Sequence, residues 1–128
     1  AHDDGEGEQR DVNAASQILR KSGVSLVDLA GYSFGAWVIA RAVADSETAC
    51  DRIVMIAPPV GMLSFPPNLT LPDFSLIITG GKDPFAPPEA LIKQMRLWNP
   101  AARLEVITGA DHFFFGFEKP LLDMLKNY

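Results

Sequence analysis

Two short apolar runs constrain the fold of this chain more than any other feature. Arg52–Ile56 (RIVMI) and residues 75–79 (SLIIT) are rich in β-branched residues, and Pro58-Pro59 and Gly80-Gly81 follow them. A strand that is apolar on both faces needs cover on both, as the middle strands of a parallel sheet have. The two runs therefore predict the centre of a parallel α/β sheet.

Two further runs complete the predicted sheet. Residues 26–30 form a short strand that leads into Gly31. In Arg103–Ile107, apolar Leu104 and Val106 alternate with charged neighbours, which is typical of a strand with one wet face. We therefore expect the last strand to lie at an edge of the sheet.

Helical patterns separate most of these strands. A helix is predicted from Arg10 to Ser22-Gly23, and residues 34–44 form a second helix that is apolar almost all round and therefore buried. Pro87-Pro88 begins a third helix and Pro120 a fourth. The apolar faces of the first, third and fourth are Val12, Ala15, Ile18 and Leu19; Leu91, Met95 and Trp98; and Leu121, Leu122, Met124 and Leu125.

This order of elements predicts the fold class α/β, a three-layer sandwich in which helices cover both faces of a parallel sheet of about four strands. Residues 57–74 hold five prolines and are expected to cross between strands with little regular helix. Residues 1–128 read as a single domain, and residues 1–8 are polar and acidic, typical of a flexible leader. Because the chain begins with Ala1, we expect a processed or partial product.

Composition narrows the possible partners. The formal net charge is −5 and no basic run occurs, which argues against nucleic acid and anionic membrane surfaces as partners. The single cysteine, Cys50, excludes an intramolecular disulfide, and neither a transmembrane-length run nor a signal-peptide pattern is present, so a cytoplasmic location is expected. No residues have metal-ligand spacing and no glycine loop suits a phosphate, so neither a metal nor a cofactor is expected.

Three side chains suited to nucleophilic catalysis each follow a different predicted strand. Ser33 lies in Gly31-Tyr32-Ser33-Phe34-Gly35, Asp83 follows Gly80-Gly81, and His112 follows the last strand. Because functional groups collect at the carboxyl ends of parallel strands, we expect the three to meet at one edge. Their chain order Ser, Asp, His is the order of the triad in α/β-hydrolases.

Each of these residue types has a chemical reason and a plainer alternative. A serine needs an imidazole to take its proton, and the imidazole needs a carboxylate to fix its tautomer. Taken singly, Ser33 could fill a tight turn, Asp83 could cap one, and His112 could be structural. Asp111 is a second candidate for the acid, although neighbouring side chains on a loop usually diverge. The coincidence of three residue types after three strands favours catalysis.

Two further features belong to this predicted site. The backbone N–H of Phe34, at the start of the second helix, is placed to stabilise a developing oxyanion. Tyr32, Phe113 and Phe114 are candidates for an apolar substrate pocket, with packing in the core as the alternative.

Four separated motifs together resemble those of an α/β-hydrolase, namely residues 31–36 (GYSFGA), 57–59 (APP), 80–83 (GGKD) and 109–114 (GADHFF). They are most similar to the small, lidless hydrolase-like proteins of bacteria with a G-x-S-F-G elbow. The resemblance implies Ser33 as nucleophile, Asp83 as acid and His112 as base. The resemblance names no substrate. Since the segment between Ile56 and Ser75 is too short for a helical lid, we expect an open site, and with its flanking aromatics such a site suits small esters or thioesters.

The resemblance covers only the carboxyl-terminal half of that fold. The family has further strands before the point where this chain begins, and a loop among them supplies the second oxyanion N–H. We therefore expect weak activity from this chain alone and an exposed edge at the strand before Ser33. Pairing through that edge predicts a homodimer or association with the missing amino-terminal segment. The alternative function is a non-catalytic module that acts through the edge.

Overall fold

The structure is a computed structural model that describes residues 5–45 and 48–128. Four parallel strands form one sheet in the order β1-β2-β3-β4. The elements, in chain order, are α1 (Glu6–Lys21), β1 (Asp28–Tyr32), α2 (Phe34–Asp45), β2 (Arg52–Ile56), β3 (Leu76–Gly80), α3 (Pro88–Trp98), β4 (Arg103–Ile107) and α4 (Glu118–Lys126). The predicted α/β sandwich with four parallel strands is confirmed.

The middle of the sheet lies where the two apolar runs predicted it. All five residues of β3 are buried, as are the three central residues of β2. α2 covers β1 and β2 with the small residues Ala36 and Ala40, which are fully buried in the core and let the helix approach closely. Because all strands are parallel, their carboxyl ends share one edge of the sheet.

The first strand lies two residues further along than predicted, at Asp28–Tyr32 instead of 26–30. The carboxylate of Asp51 accepts a hydrogen bond from the N–H of Val27 at 2.7 Å, and the ladder with β2 begins only after this contact. Leu26 precedes it and is 69% exposed. Side-chain capping by a residue 24 positions away decides this boundary, which local hydrophobicity cannot reveal.

α1 also differs from its prediction. It begins at Glu6 instead of Arg10, so residues 6–8 of the predicted flexible leader are helical, while residues 1–4 lie outside the described residues. Its buried side chains are Gln9 and Ser16, whereas Ile18 of the predicted apolar face is 67% exposed. The reason is that α1 packs on α2, and the Ser16 hydroxyl donates to the carbonyl of Ala49 at 3.0 Å.

None of the helices in residues 5–45 and 48–128 is long and apolar enough to cross a lipid bilayer.

Candidate active site

A sharp turn between β1 and α2 presents the side chain of Ser33. The backbone φ of Ser33 is 54°, in the left-handed region, and its N–H donates to the carbonyl of Ile56 at 2.8 Å. Gly31 makes the turn possible, because a Cβ there would lie 2.6 Å from the carbonyl carbon and oxygen of Gly35. Strand and helix therefore meet closely around the serine, as in a nucleophile elbow.

Backbone strain is concentrated at this edge of the sheet. Three non-glycine residues of the described chain have positive φ, Ser33 at 54°, Ala57 at 51° and Phe114 at 57°. Ser33 follows β1, Ala57 follows β2 and Phe114 lies in the loop after β4. Such conformations cost on the order of 1–3 kcal/mol each and cluster at functional sites. The strain therefore favours a functional site at the carboxyl ends of the strands.

Asp83 lies in the turn after β3 and is 3% exposed. One carboxylate oxygen, Oδ1, accepts hydrogen bonds from the N–H groups of Phe85 at 2.8 Å and Ala86 at 2.9 Å. These bonds fix the carboxylate and leave Oδ2 directed at the loop after β4.

His112 lies between this carboxylate and the serine. Its Nδ1 is 2.7 Å from Oδ2 of Asp83, and its Nε2 is 2.8 Å from Oγ of Ser33. Since an ionised carboxylate only accepts, Nδ1–H donates to Asp83, and Nε2 of the neutral ring is then free to accept the serine proton. The structure thus brings the three predicted side chains together in one hydrogen-bonded chain.

Gly80 allows the loop that carries Asp83 and the loop that carries His112 to approach each other. A Cβ at Gly80 would lie 2.3 Å from the carbonyl oxygen of Ala110. The same loops are joined by the N–H of Lys82, which donates to Ala110 at 2.9 Å. The absence of a side chain at Gly80 is therefore a condition for the Asp83–His112 contact.

The alternative acid, Asp111, turns away from the imidazole. Its Oδ1 accepts a hydrogen bond from the N–H of Phe113 at 3.0 Å and closes a local turn. Asp83 is consequently the carboxylate that faces His112.

The predicted pocket aromatics divide into two groups. Tyr32 and Phe113 are 43% and 58% exposed beside the imidazole, so both rings are accessible to a bound molecule. The prediction that Phe114 lines the pocket is wrong, because its ring is 1% exposed and belongs to the core. The left-handed backbone at Phe114 is part of a tight turn in the loop after β4. This turn places the adjacent rings of Phe113 and Phe114 in different surroundings.

One neighbour of the imidazole was not predicted from the sequence. The ring of Phe85 meets that of His112 edge-on, with centroids 5.1 Å apart. Its place directly after Asp83-Pro84 is the one available signal, since a residue two positions beyond the acid shares the acid's loop.

The start of α2 suits a developing negative charge beside Ser33. The N–H of Phe34 is the first of α2, and the first N–H groups of a helix have no intrahelical acceptor. The hydroxyl of Tyr32 is already engaged with the carbonyl of His112 at 2.7 Å, and burial, followed by the charges of Asp83 and Asp111, raises its pKa.

A large cavity lies elsewhere. A groove of about 870 Å³ lies at the end of the sheet where the strands begin, opposite Ser33, among residues such as Arg52 and Phe74. Two of its carboxylates, Asp28 and Asp51, are paired with arginines, so charged groups there serve the fold. Within residues 5–45 and 48–128, no group of three or more His, Cys, Asp and Glu side chains could hold a metal ion.

Solved structures similar to this chain include an α/β serine hydrolase, a homologue of such enzymes and a putative α/β hydrolase. A lidless α/β serine hydrolase from Xanthomonas campestris is 30% identical with a TM-score of 0.84, and covers 99% of this chain and 57% of its own. An α/β serine hydrolase homologue from Coxiella burnetii is 28% identical with a TM-score of 0.82, and covers 98% of this chain and 60% of its own. A protein of unknown function from Agrobacterium tumefaciens, a putative α/β hydrolase, is 27% identical with a TM-score of 0.82. The match covers 100% of this chain and 61% of that protein.

The chain therefore spans about three fifths of the length of these relatives. The resemblance to lidless α/β-hydrolases is confirmed over nearly the whole of this chain, and the similar structures support a general hydrolase class. The sequence matches no family model and no curated protein.

Proposed function

Because the chain has the fold of about half of an α/β-hydrolase, we propose that it is the catalytic part of a serine hydrolase acting on small carboxylic esters or thioesters. The observation that carries the proposal is the unbroken hydrogen-bonded chain from Ser33 Oγ to His112 Nε2, at 2.8 Å, and from His112 Nδ1 to Asp83 Oδ2, at 2.7 Å. Turn filling alone requires neither contact.

The reaction proceeds in two halves. Oγ of Ser33 attacks the substrate carbonyl carbon while Nε2 of His112 takes its proton, and Asp83 stabilises the imidazolium that results. The tetrahedral intermediate collapses when His112 gives the proton to the leaving oxygen or sulfur, which departs as alcohol or thiol. A water molecule then repeats the sequence on the acyl-serine and releases the carboxylic acid.

The oxyanion of each intermediate is held by the N–H of Phe34. Removal of one donor from such a site costs about 10²–10³ in rate in a comparable serine hydrolase. The resemblance assigns a second donor to a segment with no counterpart in this chain, so we expect turnover well below that of a complete hydrolase.

Ser33-dependent labelling by a fluorophosphonate probe tests this function directly. We expect the wild-type chain and the control Ser25→Ala to label equally, and Ser33→Ala not to label; Ser25 is exposed and precedes β1, at the opposite end of that strand from Ser33. Circular dichroism and thermal melts verify that all three are folded. Folded wild-type protein that labels no more than Ser33→Ala contradicts the proposal.

A second candidate function is supported by the open edge of β1. No strand of the described residues pairs with β1 on its outer side. A cavity of about 250 Å³ adjoins this edge, lined in part by Leu19, Leu29 and Ile39. An unpaired edge beside apolar surface favours pairing with another chain. A non-catalytic module that associates through β1, as a homodimer or with a further strand-bearing segment, would show association but no Ser33-dependent labelling.

A further inference from the structure

Tyr32 joins the end of β1 to the loop that carries His112. Its hydroxyl donates to the carbonyl oxygen of His112 at 2.7 Å, between residues 80 positions apart. The centroid of its ring lies 5.8 Å from that of the imidazole, at an interplanar angle of 30°. The residue before the nucleophile therefore touches both the main chain and the ring of the base.

The main chain at His112 has few other anchors. Asp111 closes a turn onto the N–H of Phe113, and the N–H of Phe114 donates to the carbonyl of Asp111 at 3.3 Å. Neither contact reaches the carbonyl of His112, and within the described ranges the Tyr32 hydroxyl is its one hydrogen-bond donor. This bond therefore joins the loop that carries His112 to the turn that carries Ser33.

The imidazole itself is restrained in two ways. Hydrogen bonds to Asp83 and Ser33 act in the plane of the ring. Out of the plane, the ring is flanked by Tyr32, while Phe85 and Phe113 meet it edge-on at centroid distances of 5.1 Å and 5.4 Å. Catalytic geometry is sensitive to displacements well below 1 Å, so contacts that restrain the base affect the rate.

We propose that Tyr32 is a positioning residue, which holds His112 between Asp83 and Ser33 through the hydrogen bond to its carbonyl. The inference rests on the proposed function, since it assigns Tyr32 a part in presenting the base to the nucleophile. The raised pKa of Tyr32 supports it, because a hydroxyl that stays protonated remains a donor.

The chain offers a matched control. Tyr128 is the only other tyrosine, and its hydroxyl, although buried, has no hydrogen-bond partner in the described residues. It lies beside the amino edge of the sheet, with the guanidinium of Arg52 over its ring. Tyr32→Phe and Tyr128→Phe therefore remove the same atom with and without a partner.

The experiment compares both variants with wild type in ester hydrolysis and in the rate of fluorophosphonate labelling. Loss of one neutral hydrogen bond corresponds to a change of about 3- to 10-fold, so Tyr32→Phe should lower kcat and the labelling rate by that factor. KM should stay within about twofold, and Tyr128→Phe should behave as wild type. In nuclear magnetic resonance spectra, the Nδ1 proton of His112 should exchange with water faster in Tyr32→Phe than in the other two proteins.

The inference is overturned if Tyr32→Phe matches Tyr128→Phe in kcat and in exchange of the Nδ1 proton. A rise in KM with unchanged kcat also overturns it, because Tyr32 would then contact substrate instead of positioning the base. If wild type lacks Ser33-dependent labelling, the proposed function fails, and the exchange measurement still decides whether Tyr32 restrains His112.

Discussion

At the scale of single residues, the two glycines that flank Ser33 have different surroundings. A Cβ at Gly31 would lie 2.6 Å from backbone atoms of Gly35, whereas a Cβ at Gly35 would meet nothing within 4 Å. Backbone cannot yield to a new methyl as a flexible side chain can. The G-x-S-x-G pattern thus combines one glycine that the turn requires with one that it does not.

Alanine at each position separates the two roles. We expect Gly31→Ala to destabilise the fold by about 2 kcal/mol or more, because overpacking against backbone forces the elbow to shift. Gly35→Ala, within α2, should be neutral or stabilising by up to about 1 kcal/mol, since alanine is the better helix former. Urea unfolding measures both. Equal destabilisation by the two substitutions would contradict this reading of the turn.

Cys50 makes stability depend on pH. Burial, followed by the charge of Asp51, raises the pKa of its thiol from 9.0 to about 11. The folded state therefore holds this proton more tightly than the unfolded state does, and stability present below about pH 9 declines as pH rises toward 11. The slope of unfolding free energy against pH should be steeper for wild type than for Cys50→Ala in this window. Parallel slopes would rule out the contribution of the thiol.

The residues of the candidate site differ in how far the sequence predicts them. Ser33, Asp83 and His112 could be predicted because each follows a strand in a known chain order, and the structure brings them together. The preference for Asp83 over Asp111 followed from loop geometry. The burial of Phe114 and the contact of Phe85 could not be predicted, since both depend on a left-handed turn and on packing between distant loops.

At the scale of secondary-structure elements, a side chain extends the pairing of β2 with β3. Their ladder begins at Val54 and Leu76, and before it the N–H of Ile53 donates to Oγ of Ser75 at 3.0 Å. Ser75 is 1% exposed, so water cannot replace this acceptor. The same contact explains why β3 begins at Leu76, one residue later than the apolar run suggested.

Ser75→Ala should destabilise the protein by about 1–3 kcal/mol, because it leaves a buried N–H without an acceptor. Ser22→Ala is the matched surface control. The Ser22 hydroxyl donates to the carbonyl of Leu19 at an exposed position, and its loss should cost less than about 0.5 kcal/mol. Chemical unfolding of both variants decides the matter, and equal effects would show that Ser75 does not stabilise the sheet in this way.

At the scale of the whole molecule, the two edges of the sheet differ. β4 bears the charged side chains of Arg103 and Glu105, which discourage edge-to-edge pairing. β1 has an apolar centre, with Leu29 and Ala30 beside the cavity that reaches α1. Of the two edges, β1 is therefore the one suited to pair with another strand.

The hydrogen bonds within the sheet show which groups of β1 face outward. The carbonyl of Val27 and the N–H of Ser33 bond to β2 and its preceding residue, so odd-numbered positions face β2 and Ala30 faces away. By the same alternation the N–H of Arg103 bonds toward β3, and Val106 faces away on the opposite edge. Proline at Ala30 or Val106 thus removes an outward N–H without breaking the existing ladder.

Light scattering coupled to size-exclusion chromatography tests which edge mediates association. We expect the wild-type chain to show a mass above that of the monomer at high concentration and to dissociate on dilution, because strand pairing at β1 satisfies its open N–H and C=O groups. Ala30→Pro should weaken the association at least tenfold, whereas Val106→Pro should leave it unchanged. A strictly monomeric wild-type chain, or equal weakening by both prolines, would exclude β1 as the pairing edge. Since Ser33 directly follows β1, a strand added at this edge would lie next to the proposed nucleophile.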